Sequence, residues 1–416
     1  MKALFIHQNF PAQYLALASA LAKDRNNRVG FITHYQGPVE IEGVTKMRYE
    51  PARGPHADTH SYVQPFERAV LDAQAVFRVL QSLKASGFTP DVVCAHTGWG
   101  LGMFVKDIYP DTPLLLYCEW FTRHRGGDLD FEPAKPCDIN DVLRYRASNA
   151  AMLVDLEACD GGVSPTEWQR SRFPDAYRPR IDVLHDGIDT DYFHPRPGAK
   201  LDLPGLDLSR AGEIVTYVAR GMDAYRGFPQ FIEMLGHLLA RRPHCHVVIV
   251  AADRVAYGPP PPQGTSYKDG MLAKIPLDRS RVHFVGTLPY GLYKQVLQAS
   301  SAHVYLTRPF VLSWSLIEAM ASGCLIVASD TAPVREAIED GVNGLLVDFF
   351  DVQAIARRVE EALDGGERLA PLREAARQSA LERYAQAKLL PRHLDLLQAY
   401  ADRRLPKPAP AFTSLA

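Results

Sequence analysis

The chain has 416 residues, 47% apolar and 23% charged, more than one hydrophobic core accommodates and enough for two domains. A formal net charge of -2 leaves no basic excess with which to grip a nucleic-acid backbone, and nucleic acid is excluded as a partner on that ground. Cys94, Cys118, Cys137, Cys159, Cys245 and Cys324 show no paired spacing, Met1–His7 is too short for a secretory segment, and no apolar run reaches membrane-spanning length. The expectation is a cytoplasmic protein without a zinc or other metal site.

Ala3–Ile6 reads as a buried first strand, followed by the loop His7-Gln8-Asn9-Phe10-Pro11-Ala12-Gln13 and a helix over about 14–22. A dinucleotide-binding turn needs glycines here and none is present, which argues against NAD or FAD. Arg28–Thr33 is a second strand. Over 66–84, Val70, Leu71, Val76, Phe77, Leu80 and Leu83 recur at helical spacing, the mark of a core-facing helix, with membrane contact the lesser alternative. The strand through Val92 and Val93 ends at His96, and Gly98 and Gly100 just beyond allow a ligand close to the backbone; a core histidine fits the same residues. Leu114–Cys118 ends in Glu119, ahead of the polar loop Thr122-Arg123-His124-Arg125-Gly126-Gly127-Asp128. Two strands thus finish in polar groups on one edge, as a site or as a solvated loop.

Ser164-Pro165-Thr166-Glu167 predicts a helix start with Ser164 as cap and Glu167 as its reciprocal partner. After a strand over 181–184 comes the turn His185-Asp186-Gly187-Ile188-Asp189-Thr190. The weakly apolar stretch 195–205 then sets the boundary between a first domain, 1–195, and a second, 196–380. The second domain opens on strand Ile214–Val218 and the loop Ala219-Arg220-Gly221-Met222-Asp223-Ala224-Tyr225-Arg226-Gly227, whose two arginines can converge on an anion. Strands follow over 247–251, 283–286, 302–306, 325–328 and 344–347, with helices between them and over 352–363 and 369–402. Residues 381–416 read as a helix returning to the first domain plus a tail, 404–416, frayed by three prolines.

Within the second domain, Ser313-Trp314-Ser315-Leu316-Ile317-Glu318-Ala319-Met320-Ala321-Ser322-Gly323 reads as a loop turning into a two-turn helix, with Ser315 as cap, Glu318 closing a capping box and Gly323 as stop. Unpaired amides at such a start suit phosphate. Glu318 capping its own helix is the alternative. Strand–helix alternation in both halves means an α/β chain with two doubly wound parallel sheets.

Taken together, Ser164-Pro165-Thr166-Glu167, His185-Asp186-Gly187-Ile188-Asp189-Thr190, Arg220–Gly227 and Leu316–Gly323 through Val347-Asp348 give a chain that resembles the family 4 retaining glycosyltransferases, whose GT-B fold sets two Rossmann-like domains facing each other. The resemblance implies a nucleoside-diphosphate sugar as donor substrate, no cofactor, and a glycan or lipid-linked acceptor at the inner face of a bacterial membrane. It places Glu318 on the ribose hydroxyls, Arg220 and Arg226 on the diphosphate, and Gly221, Ser313, Trp314, Ser315 and Leu316 beside them, all in the gap between the domains. Preorganised cations and helix amides stabilise the departing diphosphate without a metal, each such donor being worth roughly 3 kcal/mol of barrier.

Three departures stand out. Phe310 holds the position where the family usually has a glutamate reaching the donor sugar. Asn9–Gln13 replaces a glycine-rich loop, and Cys118-Glu119 stands where a histidine is frequent. His96 and Glu119 are expected to face the reacting sugar, with Asn9, Gln13, Arg123 and His124 on the acceptor side. A nucleotide-sugar epimerase, or a nucleotide-sugar-binding protein without turnover, are the competing functions.

Overall fold

The computed structural model describes residues 1–133, 137–261 and 264–403, which form two compact units: 1–186 with the carboxyl-terminal segment from Ala387, and Gly187–Gln386. The chain passes between them at Asp186–Gly187 and again at Gln386–Ala387, where the sequence alone puts the boundaries at 195 and 380. The tail expected to fray lies outside the described residues.

The first unit is built on seven strands: β1 (Lys2–His7), β2 (Arg28–Thr33), β3 (Val44–Arg48), β4 (Val92–His96), β5 (Leu114–Tyr117), β6 (Gly161–Ser164) and β7 (Ile181–Val183). They pair in the order β3-β2-β1-β4-β5-β6-β7, every pair parallel. Side chains alternate across the sheet, so Leu4 and Ile6 meet Val76 and Leu80 of the helix Gln64–Ala85 on one face. Ala3 and Phe5 meet Leu17 and Leu21 of Leu15–Lys23 on the other. That second face is completed by Leu389, Leu397 and Tyr400 of the last helix, Gln386–Ala401. Gly161 is small because a Cβ there would stand 1.8 Å from the Tyr400 hydroxyl.

The second unit carries a small antiparallel hairpin, β8 (Asp202–Leu203) with β9 (Leu206–Asp207). Its main sheet comprises β10 (Glu213–Gly221), β11 (Cys245–Ala252), β12 (Val282–Phe284), β13 (Ala302–Tyr305), β14 (Ile326–Ser329) and β15 (Leu345–Val347). The order β12-β11-β10-β13-β14-β15 is again wholly parallel. Helix Phe228–Arg241, with Phe228, Phe231, Ile232, Leu235 and Leu238 buried, packs against Val352–Asp364. In both sheets the chain reverses its winding beside the first strand, between β1 and β4 and between β10 and β13. Loops part there and leave a crevice at the carboxyl ends of the strands.

Local geometry corrects three readings of the sequence. Ser164 ends β6, and the next helix, Glu167–Arg172, is capped by Thr166, whose hydroxyl accepts the Gln169 N–H at 3.1 Å. Ser315 lies inside its helix, Trp314–Ala321, and the cap is Ser313, which accepts the Ser315 N–H at 3.3 Å. Glu318 does not close a capping box, because its carboxylate accepts a hydroxyl from Tyr293 instead. The span 369–402 is two helices, Ala370–Arg383 and Gln386–Ala401, parted where Ile188 pairs with Ala385. Gly323, at φ +74°, stops its helix in the left-handed conformation as expected.

One buried ionisable group in the first core is structurally costly. Asp155, 0% exposed, has its carboxyl pushed well above the usual range by burial, with only the Gly102 backbone opposing. The folded chain therefore holds a proton that the unfolded chain releases near pH 4, and stability drains as pH rises above that point. Asp155→Asn should raise the urea midpoint at pH 7.5 and flatten its pH dependence; a midpoint that does not move would show that the acid is not strained.

Candidate active site at the strand ends

At the β10/β13 crevice of the second unit, the loop after β10 folds as a short turn, Ala224–Arg226, capped by the fully buried Asp223. One Asp223 carboxylate oxygen accepts the Arg226 N–H at 3.2 Å, and the other accepts the N–H groups of Ala256 and Tyr257 at 3.0 and 3.1 Å. This ties the turn to the loop after β11. Gly221 is dictated by that approach, since a Cβ would lie 2.5 Å from the Arg254 carbonyl oxygen and 2.9 Å from the Ala256 nitrogen.

The two arginines of this loop take different positions. Arg226 is 5% exposed, and its Nη1 donates to the Tyr305 hydroxyl at 3.0 Å, Thr307 Oγ1 at 2.8 Å and the Val311 carbonyl at 3.0 Å. The Tyr257 ring covers its guanidinium at 5.3 Å. Arg220 is exposed, with no side-chain hydrogen bond or ion pair among the described residues. So Arg226 joins the β10 loop to the β13 loop, whereas the Arg220 side chain is exposed at the end of β10. Tyr305 extends the link, because its hydroxyl also accepts the Ser313 N–H at 2.9 Å and thereby fixes the helix cap.

Along that helix, Trp314 is half-buried, Ser315 and Leu316 are buried, and Glu318 is 5% exposed. Burial pushes the Glu318 carboxyl up to about 7, while the hydroxyls of Tyr293 and Tyr290 pull it back; Tyr293 donates to Oε2 at 2.7 Å. A carboxylate poised in this way can exchange one hydroxyl partner for another. Phe310 packs edge-on against Tyr225 and Tyr257, both at 5.3 Å between ring centres, and is an aromatic wall with no carboxylate to offer.

At the β1/β4 crevice of the first unit, Gln13 and Glu119 meet, the amide donating to Oε1 at 3.0 Å, and His96 Nε2 stands 3.5 Å from Oε2. The Glu119 backbone is held by Gln169, whose amide donates to its carbonyl at 2.8 Å. His96 is buried in a stack, with Trp99 at 4.4 Å and Tyr117 at 5.3 Å, and His7 at 4.8 Å edge-on. Its Nδ1 donates to the Thr97 carbonyl at 2.5 Å, which leaves Nε2 on the side of Glu119. His96 is therefore at once a packed ring and a polar group aimed at the strand ends.

Asn9 is exposed, and its N–H donates to His7 Nδ1 at 2.8 Å. Ala12 takes φ +48°, the left-handed turn for which a glycine would be the easy choice. The glycine-like geometry exists without the glycine. Arg123 is held by the carbonyls of Arg172 and Phe173 at 2.5 and 3.0 Å, and His124 lines a cavity beside it. Asp223, Tyr305, Thr307 and Tyr293 in the second unit, and His7, Trp99 and Gln169 in the first, escape sequence reasoning. Their partners are distant in the chain, and only the aspartate, three residues before Arg226, carries a local capping signal.

Two parallel sheets that each reverse winding beside their first strand define an α/β protein that takes ligands at its strand ends. The comparisons make this specific. The profile described as Glycosyl transferase family 4 group matches residues 25–193, and that described as Glycosyl transferases group 1 matches 208–379. The alpha-maltose-1-phosphate synthase of Mycolicibacterium smegmatis is 25% identical over 318 residues, 73% of this chain and 78% of that protein. The D-inositol 3-phosphate glycosyltransferase of Frankia alni is 28% identical over 192 residues, 45% of this chain and 46% of its own. Among solved structures, Anabaena HepE in complex with UDP and glucose superposes with a TM-score of 0.71 at 17% identity, over 96% of this chain and all of that one. Sucrose-phosphate synthase from Thermosynechococcus elongatus gives 0.71 at 18%, over 97% of this chain and all of its own. The chain belongs to the family 4 glycosyltransferases and has the GT-B fold. No helix among the described residues is long and apolar enough to cross a membrane.

Adding a methyl group at the tight β10–β11 approach tests the architecture of the site. Gly221→Ala should lower unfolding free energy by about 1–3 kcal/mol, read from urea denaturation, since neither neighbouring backbone atom can rotate away. An unchanged midpoint would mean the two loops are not held together as described.

Proposed function

We propose that the protein transfers a sugar from a nucleoside-diphosphate sugar to a glycan or lipid-linked acceptor, with retention of anomeric configuration and without a metal. The carrying observation is the network at the adjacent ends of β10 and β13, where Arg226 locks its turn to the β13 loop, Tyr305 fixes the helix start at Ser313 and Glu318 accepts a tyrosine hydroxyl, with the exposed Arg220 at the end of β10. Arg220 and the amides of Ser315 and Leu316 offer positive charge to a diphosphate leaving group, and Arg226 holds their loops in register for it. Glu318 takes the ribose hydroxyls in place of Tyr293. UDP is the first nucleotide to try, because HepE has been solved with it.

In the first unit Glu119 and His96 face the reacting sugar, and Gln13 fixes one carboxylate oxygen so that the other stays oriented. The departing phosphate accepts the acceptor's proton, so His96 and Glu119 position and stabilise charge without acting as an obligatory base. Activity is cytosolic, at the inner membrane face where such acceptors are presented. Phe310 favours a second reading, a sugar-nucleotide-binding protein without turnover, because the donor sugar loses a carboxylate contact there.

A thermal-shift and hydrolysis screen with UDP-, GDP-, ADP- and dTDP-sugars separates these readings, since stabilisation follows ligand concentration over dissociation constant. The transferase reading expects one base to stand out and its sugar to be released or transferred. Stabilisation with no turnover leaves the binding protein, and no stabilisation by any of the four removes both. With the selected donor, Arg220→Gln should reduce kcat about a hundredfold, whereas equal turnover would remove Arg220 from the reaction. Binding of ribose hydroxyls favours ionised Glu318, so donor affinity should rise with pH up to about 7 and then level, and Glu318→Gln should abolish the slope. A slope that survives the substitution assigns it to another group.

A further inference from the structure

Beyond β5, the loop that carries Glu119 continues into a cavity of about 370 Å³ whose lining, among the described residues, includes Arg123, His124, Arg125 and Arg146 and no carboxylate. We propose that this cavity is an anion site that receives a phosphate group borne by the acceptor, an inference that rests on the transferase reading of the first unit.

The site is built from fixed parts. Asn149 is buried, its side-chain amide donating to the Thr122 carbonyl at 2.8 Å and its carbonyl oxygen accepting the Thr122 N–H at 3.2 Å, so the loop cannot drift. Arg123 is clamped at Nε and Nη2 by the carbonyls that end helix Glu167–Arg172. Phe121, Val142, Leu153 and Pro174 supply apolar walls.

The remaining basic groups behave differently from the arginines around them. Arg144 pairs with Asp141 at 2.5 Å, and Arg172 donates to the carbonyls of Gly126 and Arg125 at 2.8 Å each. Arg125, Arg146 and His124 have no side-chain hydrogen bond or ion pair among the described residues, although they surround one space. Arg123, Arg125 and Arg146 repel one another across that space, and the repulsion is relieved when an anion enters. Arg172, beside it, has its guanidinium pKa lowered by burial and then by the Arg123 charge, with Asp128 and Asp130, outside the lining, opposing.

Guanidinium groups fork onto phosphate oxygens, which favours phosphate over a single hydroxyl or neutral sugar. The volume exceeds that of one phosphate and leaves room for part of its carrier. Arg123 lies four positions after Glu119, a span of at most about 14 Å, so an acceptor anchored here can extend its hydroxyl to the strand end. The phosphate can belong to a soluble sugar phosphate or to a lipid-linked head group.

Calorimetric titration of the full chain at low salt distinguishes these sources and tests the site. Glucose 6-phosphate should bind and glucose should not, with Arg146→Gln and Arg125→Gln each weakening binding about tenfold. If instead only vesicles of phosphatidylcholine with phosphatidic acid are bound, and the same substitutions release them, the site stands with a lipid source. UDP affinity, measured on the same samples, should be unchanged in both variants. Arginine-dependent phosphate binding in a chain that takes no nucleotide keeps the anion site and removes the transferase reading. Nucleotide binding with neither phosphate probe retained, or retained equally by both variants, overturns the inference alone.

Discussion

A guanidinium buried beneath the strand ends of the second unit must find acceptors there or its burial is prohibitively unfavourable, and Arg226 finds them on a loop other than its own. Its three bonds through Nη1 reach Tyr305, Thr307 and Val311, all on or just after β13, while its backbone belongs to the turn after β10. The crevice is thereby given a fixed shape. Asp223, from the same turn, reaches across to the β11 loop through two backbone amides. Charge of each sign is thus spent on holding three loops together, and Arg220 is left outside that lattice.

The same economy appears at the first unit's crevice in a different chemistry. There the packing is aromatic, with His96 set against His7, Trp99 and Tyr117, and the polar output is a glutamate steadied by two glutamines through its side chain and its carbonyl.

Much of this was legible in the sequence because the signals are periodic and local. Strands buried on both faces read as unbroken apolar runs, and their alternation with amphipathic helices implies the doubly wound class. β6 was not legible, because Gly161 and Gly162 carry no strand signal and are required by Tyr400 and by Cys118, both far away in the chain. The exposed, weakly apolar β3 was missed for want of a buried face. Caps shifted by two residues at Ser313 and Thr166 because serine and threonine repeat there, and only packing chooses between them. The arginine pair was visible, but not its division of labour, since nothing local reveals that Tyr305 and Val311 wait for one of the two.

Glu318 shows the same limit in reverse. Its place on the helix suggested capping, yet its partner is a tyrosine on the preceding helix, and burial turns a spare acceptor into a group near neutrality. What joins these observations is that each functional side chain stands next to another that holds its loop. Hydrogen–deuterium exchange of the whole chain with and without saturating UDP would show whether the second unit's crevice is where the nucleotide seats. Protection is expected across 220–227 and 306–318, and protection confined to other segments would contradict it.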